Sequence, residues 1–317
     1  MSKIKIKIDK SNLNEFIPSQ KYDIILKKCI GYGSYGYIFK TNFEKYAVKL
    51  LLDSADTFDL KYSDYNEVEV IDKIISSKKE FRVNCGDYAI GKIFKNIGEF
   101  LEHDNIRIYV NTENSPINIE SQVKNNKFII KEYFPVIIMP LFIPLNDSIY
   151  DSNFIKNNLY ICKLIDLLII SQKEMLSIGL INLDLKTQNA VMDEENNLKL
   201  IDFGIVKCID KMEEIFNNSS KYYIWPFEKK SIEIVILYMI CIFIIEIYYY
   251  RIHDIKKNKY ILDFIIKDFD ECNNLSDDIC SLLKKALYNG IKWDDFLYEF
   301  EQIKNKFNLD EVKLPIN

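Results

Sequence analysis

Between residues 22 and 51 the apolar positions come in short runs broken by glycines. That pattern predicts two strands joined by a glycine-rich turn and a third strand ending near Leu51. Lys and Ile alternate through M-S-K-I-K-I-K-I at the start of the chain, the period of a short strand. Over 64–75 the period changes, and Val68, Ile71, Ile74 and Ile75 fall on one face of a predicted helix. The stretch 82–127 is mixed and carries the loop-like pieces N-T-E-N-S-P-I-N and V-K-N-N-K, so an insertion or an elaborated strand pair is expected there. Residues 128–142 are strongly apolar and contain Pro135 and Pro140, which suits a buried strand running into an extended connector.

Beyond the connector the chain turns helical. Residues 155–178 space Leu159, Cys162, Ile165, Ile169 and Leu176 at helical intervals, and Gly179 supplies a stop. A hairpin is expected over 190–202 around D-E-E-N-N. From Ser231 onward the pattern is helix, with Trp293, Phe296, Leu297, Phe300, Ile303 and Phe307 along one core-facing stripe. A strand-rich first part followed by helices is a two-lobed α+β plan. The expected boundaries are an N-terminal extension over 1–21, a β-rich lobe over 22–139 with its insertion near 82–127, and a helical lobe over 140–317.

Composition narrows this reading. The 317 residues are 48% apolar, enough for a substantial core. With 42 basic against 47 acidic side chains there is no basic block to follow a phosphate backbone, so nucleic acid is not an expected partner. The seven cysteines are widely spaced without C-x-x-C, as reduced thiols of a cytoplasmic protein would be, and no secretory signal is visible. The apolar run 234–245 is interrupted by Glu233 and Glu246, which predicts a buried helix and no membrane span.

Three groups of residues carry candidate chemistry. In I-G-Y-G-S-Y-G-Y-I-F at 30–39, Gly31, Gly33 and Gly36 lie between two predicted strands, where bare backbone can turn its N–H groups toward phosphates and Tyr35 could cover them. In A-V-K at 47–49, Lys49 ends an apolar strand and could reach such phosphates, with Glu67, or its neighbour Glu69, as a partner on the following helix. In L-D-L-K-T-Q-N at 183–189 and I-D-F-G at 201–204, Asp184, Lys186, Asn189 and Asp202 form a set of two carboxylates, an amide oxygen and a cation. Phosphoryl transfer requires oxygens for a divalent metal, a group that orients a hydroxyl, and positive charge on the moving phosphoryl.

Together these motifs resemble the eukaryotic-type protein kinase superfamily over roughly residues 22–300. The resemblance implies an ATP- and Mg²⁺-dependent enzyme acting on protein hydroxyls. It assigns Ile30, Gly31, Tyr32, Gly33, Ser34, Tyr35 and Gly36 to the nucleotide loop, Lys49 to the α and β phosphates with Glu67 holding it, and Ile30, Ile38, Ala47 and Val191 to the adenine. Met139 would limit the back of that pocket and Pro140 would begin the hinge. Asp184 corresponds to the catalytic base, Lys186 to the γ-phosphate contact, and Asn189 and Asp202 to the magnesium ligands. Lys186, two positions after Asp184, is similar to the serine/threonine branch.

The chain also departs from the family. Asn182 and Leu183 stand where histidine and arginine precede the catalytic aspartate, and W-P-F-E at 225–228 stands for A-P-E. Leucine cannot pair with a phosphate, so the usual switch by phosphorylation is not expected, though Lys207 is a substitute cation to consider. A compact, monomeric, arginine-poor member is implied, similar to divergent kinases of large DNA viruses such as poxviruses. The competing readings are a pseudokinase that only binds partners and a kinase-like enzyme acting on small molecules.

Overall fold

A computed structural model describes residues 6–13, 24, 26–33, 36–51, 67–93, 108–109, 116–117, 134–145, 157–211, 231–249, 275–307, 309, 312 and 314. The architecture is mixed α+β, in two compact units. The first comprises Met1–Glu80 with Gly86–Leu141, the second Phe81–Cys85 with Phe142–Asn317.

The first unit is built on an antiparallel sheet of order β1-β5-β8-β4-β3-β2, made of Ile6–Ser11 (β1), Leu26–Gly33 (β2), Gly36–Thr41 (β3), Tyr46–Leu51 (β4), Ala89–Ile93 (β5) and Phe134–Pro140 (β8). Ile108–Tyr109 (β6) and Pro116–Ile117 (β7) form a small separate pair. Register decides which side chains share a face, because neighbours along a strand point opposite ways. Tyr37 pairs with Leu50 and Leu50 with Val136, while Phe39 pairs with Val48 and Val48 with Ile138. These six residues form one apolar cluster with Leu26 and Ala89. The other face carries Ile38, Lys49 and Ile137 in one row and Lys40, Ala47 and Met139 in the next.

Glu67–Ser77 (α1) buries Glu67, Val70, Ile71 and Ile74. Val68 and Ile75, expected on that face, lie at its half-buried margin because Glu67 itself faces inward. The start of the stretch expected as an insertion or an elaborated strand pair is among the described residues. Ala89–Ile93 is a full strand of the sheet, and Phe81–Cys85 belongs to the second unit. The alternation A-I-G-K-I was too short to stand out beside the polar sequence after it.

In the second unit, Asn158–Leu176 (α2) begins at Asn157, whose side chain accepts the Leu159 N–H, and gives way to Gly179 at a φ of 72°. Only a residue without Cβ adopts that conformation cheaply. Leu180–Asn182 (β10) pairs with Val206–Cys208 (β13), and Ala190–Met192 (β11) pairs with both Leu198–Leu200 (β12) and Ile143–Pro144 (β9). The β11–β12 turn is closed by the Asp193 carboxylate, which accepts the Glu195 and Asn197 N–H groups.

Ile232–Tyr249 (α3) is apolar almost all round, and Val235–Ile245 lie buried in the main core with α2, Asp277–Lys284 (α4) and Trp293–Lys304 (α5). A helix without a polar face is stable in water only when enclosed in this way. Among the described residues no helix is long and apolar enough to cross a membrane. Of the expected α5 stripe, Phe296, Phe300 and Ile303 are buried, while Trp293, Leu297 and Phe307 pack at the core's edge. Residues 81–85 are fastened to this unit by Glu174, whose carboxylate accepts the Val83 and Asn84 N–H groups and the Asn84 side chain.

Candidate functional site

The sequence-derived residues fall into two sets, one in each unit. In the first, Lys49 on β4 donates to both carboxylate oxygens of Glu67 at 2.9 and 2.7 Å. Lys49 is only 5% exposed and Glu67 7%, so this is a buried, bidentate pair. Glu69, the alternative partner, is exposed, since two residues along a helix turn a side chain by roughly 200°. Ile38, Ala47 and Met139 share the sheet face of Lys49, while Ile30 on β2 is 41% exposed.

The glycine motif forms a hairpin in which Gly31, Tyr32 and Gly33 pair with Ile38, Tyr37 and Gly36. Ser34 and Tyr35 lie outside the described residues. A Cβ on Gly36 would sit 2.2 Å from the Leu50 carbonyl oxygen, so packing of β3 on β4 alone demands glycine there. At Gly31 the same atom would meet only the Ile38 side chain at 3.5 Å, an ordinary contact. Sheet packing therefore leaves Gly31 unexplained.

The second set is tighter. The segment after β10 alternates core and candidate residues: Leu183 and Leu185 lie in the apolar core, with the buried Asp184 between them. Asn182 accepts the Asp184 N–H on its side-chain oxygen at 2.9 Å. Asp184 Oδ2 accepts from Lys186 Nζ at 2.6 Å and from Asn189 Nδ2 at 2.9 Å, and Asn189 Nδ2 donates also to the Asp184 carbonyl. Both donor directions of the Asn189 amide are thus turned to Asp184, which leaves its Oδ1 as the acceptor toward a cation.

Asp202 joins this group through the backbone, because the Ile201 N–H donates to the Asn189 carbonyl at 2.9 Å. Asp202 has a φ of 65°, a left-handed conformation costly for most side chains, and Phe203 beside it is fully buried. Val191, assigned to the adenine, is buried on β11. Lys207, considered as a phosphate reader, is buried on β13, as is Leu183 in the core.

Among the described residues no three His, Cys, Asp or Glu side chains gather as a metal cage. The Asn189 amide oxygen and the Asp202 carboxylate nevertheless suit Mg²⁺. That ion usually takes one or two protein oxygens and fills its octahedron with water and phosphate.

One participant was visible in the sequence only as an interruption. Glu246 on α3 accepts the Thr187 N–H on Oε2 at 2.9 Å. Burial pushes its carboxyl up, an effect compounded by the nearby Asp184 charge and opposed by Thr187 and Lys186. A carboxylate late in α3, set among apolar residues away from the exposed Glu233 of its first turn, was the available signal, since such a group is withdrawn from water only with a partner.

No protein-family model matches the chain, and no curated protein matches it by sequence.

Proposed function

We propose that this chain is a protein kinase that transfers the γ-phosphoryl group of ATP to serine or threonine hydroxyls. In this reading the first unit is the β-rich lobe and the second the helical lobe of a kinase-like fold. The observation that carries the reading is the hydrogen-bonded group Asp184–Lys186–Asn189, with Asp202 attached to it through Ile201. The buried Lys49–Glu67 pair supports it independently, because it fixes one cation on the sheet face that also carries Ile38, Ala47 and Met139.

Each residue then has a role. Lys49, fixed by Glu67, contacts the α and β phosphates, and Gly31 lets the backbone approach them. Asp184 Oδ2 is already occupied by Lys186 and Asn189, so Oδ1 is the oxygen that accepts the substrate proton. As the substrate oxygen bonds to the γ-phosphorus, the bond to the β–γ bridging oxygen breaks and ADP leaves, while Lys186 compensates the charge on the phosphoryl oxygens. Asn189 and Asp202 would hold Mg²⁺, which neutralises phosphate charge when bound.

Incubation of the purified chain with labelled ATP, Mg²⁺ and, in separate arms, a panel of proteins and a panel of small-molecule alcohols tests this. Label on serine or threonine, lost in Asp202→Ala, is the expected result. Label only on small-molecule alcohols would replace the proposal with a small-molecule phosphotransferase. Nucleotide binding without transfer would replace it with a pseudokinase.

A further inference from the structure

Resting on the kinase reading, we infer that Glu246 is a positioning residue of the transfer site, holding the Thr187–Asn189 turn from helix α3. Thr187–Asn189 is a single 3₁₀ turn. It closes on itself through the Asn189 N–H to the Lys186 carbonyl and the Ala190 N–H to the Thr187 carbonyl. The Thr187 N–H begins the turn and has no carbonyl within it to bond. Glu246 Oε2 accepts that N–H at 2.9 Å.

The contact reaches the chemistry in two steps. Thr187 lies directly between Lys186, which donates to Asp184 Oδ2, and the turn that carries Asn189, which donates to the same oxygen. A shift of the Thr187 peptide therefore moves both donors on Asp184. Leu183 and Leu185 anchor the segment before Lys186 in the core. Asn182 fixes the Asp184 N–H. Glu246 is the hold on the other side, and it comes from the most apolar helix of the unit, where it is the sole charged side chain between Ile234 and Ile247. Leucine or isoleucine would suit the surrounding core better, so the carboxylate's use lies in what it holds.

Among the described residues, the charged groups acting on Glu246 are Lys186 and Asp184, both of the same loop. Its influence is thus directed at the transfer residues themselves, and two contributions separate by chemistry. Acceptance of the Thr187 N–H needs only an oxygen, which Gln also supplies. The balance of charge on Lys186 needs the carboxylate.

The test compares Glu246→Leu and Glu246→Gln with the parent by amide hydrogen exchange at Thr187 and by steady-state kinetics with ATP and an unphosphorylated acceptor protein. In Glu246→Leu the Thr187 amide should exchange about tenfold faster, the size expected for one lost hydrogen bond. Its kcat should fall about tenfold to a hundredfold, as for a misplaced catalytic group, with KM for ATP nearly unchanged. Glu246→Gln should restore the exchange protection and most of kcat. Unchanged exchange at Thr187 in Glu246→Leu overturns the inference, and so does exchange protection that Gln fails to recover. A parent without any transfer sinks the kinase reading and this role with it. An active parent whose Leu variant is equally active sinks the role of Glu246 alone.

Discussion

Each unit contributes one lysine–carboxylate pair to the candidate site, and the two are built in opposite ways. Lys49 and Glu67 come from a strand and a helix eighteen positions apart, and both side chains are almost wholly buried. Their meeting depends on how α1 packs against the sheet. Lys186 and Asp184 are two positions apart in one loop, Lys186 remains partly exposed, and neighbouring hydrogen bonds from Asn182, Asn189 and Glu246 fix their loop. The first pair is a product of tertiary packing with much stability at stake. The second is a local arrangement whose members can be altered with little cost to the fold.

The largest effect tests the second half of that contrast. Asp202→Ala should abolish phosphoryl transfer, and Asp184→Asn should reduce it by about 10² to 10⁴, the usual range for a general base. Because Asp184 contributes mainly polar contacts within one loop, circular dichroism and the denaturant midpoint should stay near the parent's. Near-parental turnover in Asp184→Asn would remove the catalytic assignment.

Lys49→Ala tests the first half. It leaves the Glu67 carboxylate buried without its bidentate donor, which should cost about 3–5 kcal/mol of stability as well as activity. A denaturant titration that shows parental stability would place this pair with the locally built one and erase the contrast.

Gly36→Ala sharpens the structural side further. The new methyl meets the Leu50 carbonyl oxygen, so β3 and β4 must separate, at about 1–3 kcal/mol, typical of overpacking. Gly31→Ala has room for its methyl, and its effect should appear in nucleotide affinity and not in the melting temperature.

A smaller effect concerns pH. The Glu246 carboxyl is raised by burial, so the folded state holds that proton more tightly than the unfolded chain. Below the unfolded value of about 4.3 both states are protonated and the group is neutral to stability. As pH rises from there through the raised folded value, this group's contribution becomes increasingly unfavourable. Glu246→Gln should therefore gain stability relative to the parent across that rise, measured as denaturant midpoints at several pH values. A gap that narrows as pH rises would contradict the assignment.

The smallest expected change is none. Leu183 is in the core and Lys207 is buried, so neither is at the surface to read a phosphate at Ser219, Ser220, Tyr222 or Tyr223. Phosphatase treatment should leave most activity in place, and a large loss would show that another cation takes that part.

The sequence alone determined the strands around the glycine motif, the helix ending at Gly179, the hairpin around Asp193 and the buried run on α3. Each is fixed by short-range period, turn chemistry or the absence of a Cβ, all of which one segment contains. The loop residues Asp184, Lys186 and Asn189 were legible for the same reason: their contacts join positions two to five apart. Tertiary structure decided what spans long separations. It selected Glu67 over Glu69, because only the packing of α1 says which carboxylate turns toward Lys49. It drew β5 out of a stretch that looked like an insertion, and it gave 81–85 to the second unit through Glu174. It also turned Glu246 from a break in an apolar run into a partner of Thr187, fifty-nine positions away. A carboxylate set into an apolar run announces that a partner exists, but which one is set by the fold that brings two distant segments within 3 Å.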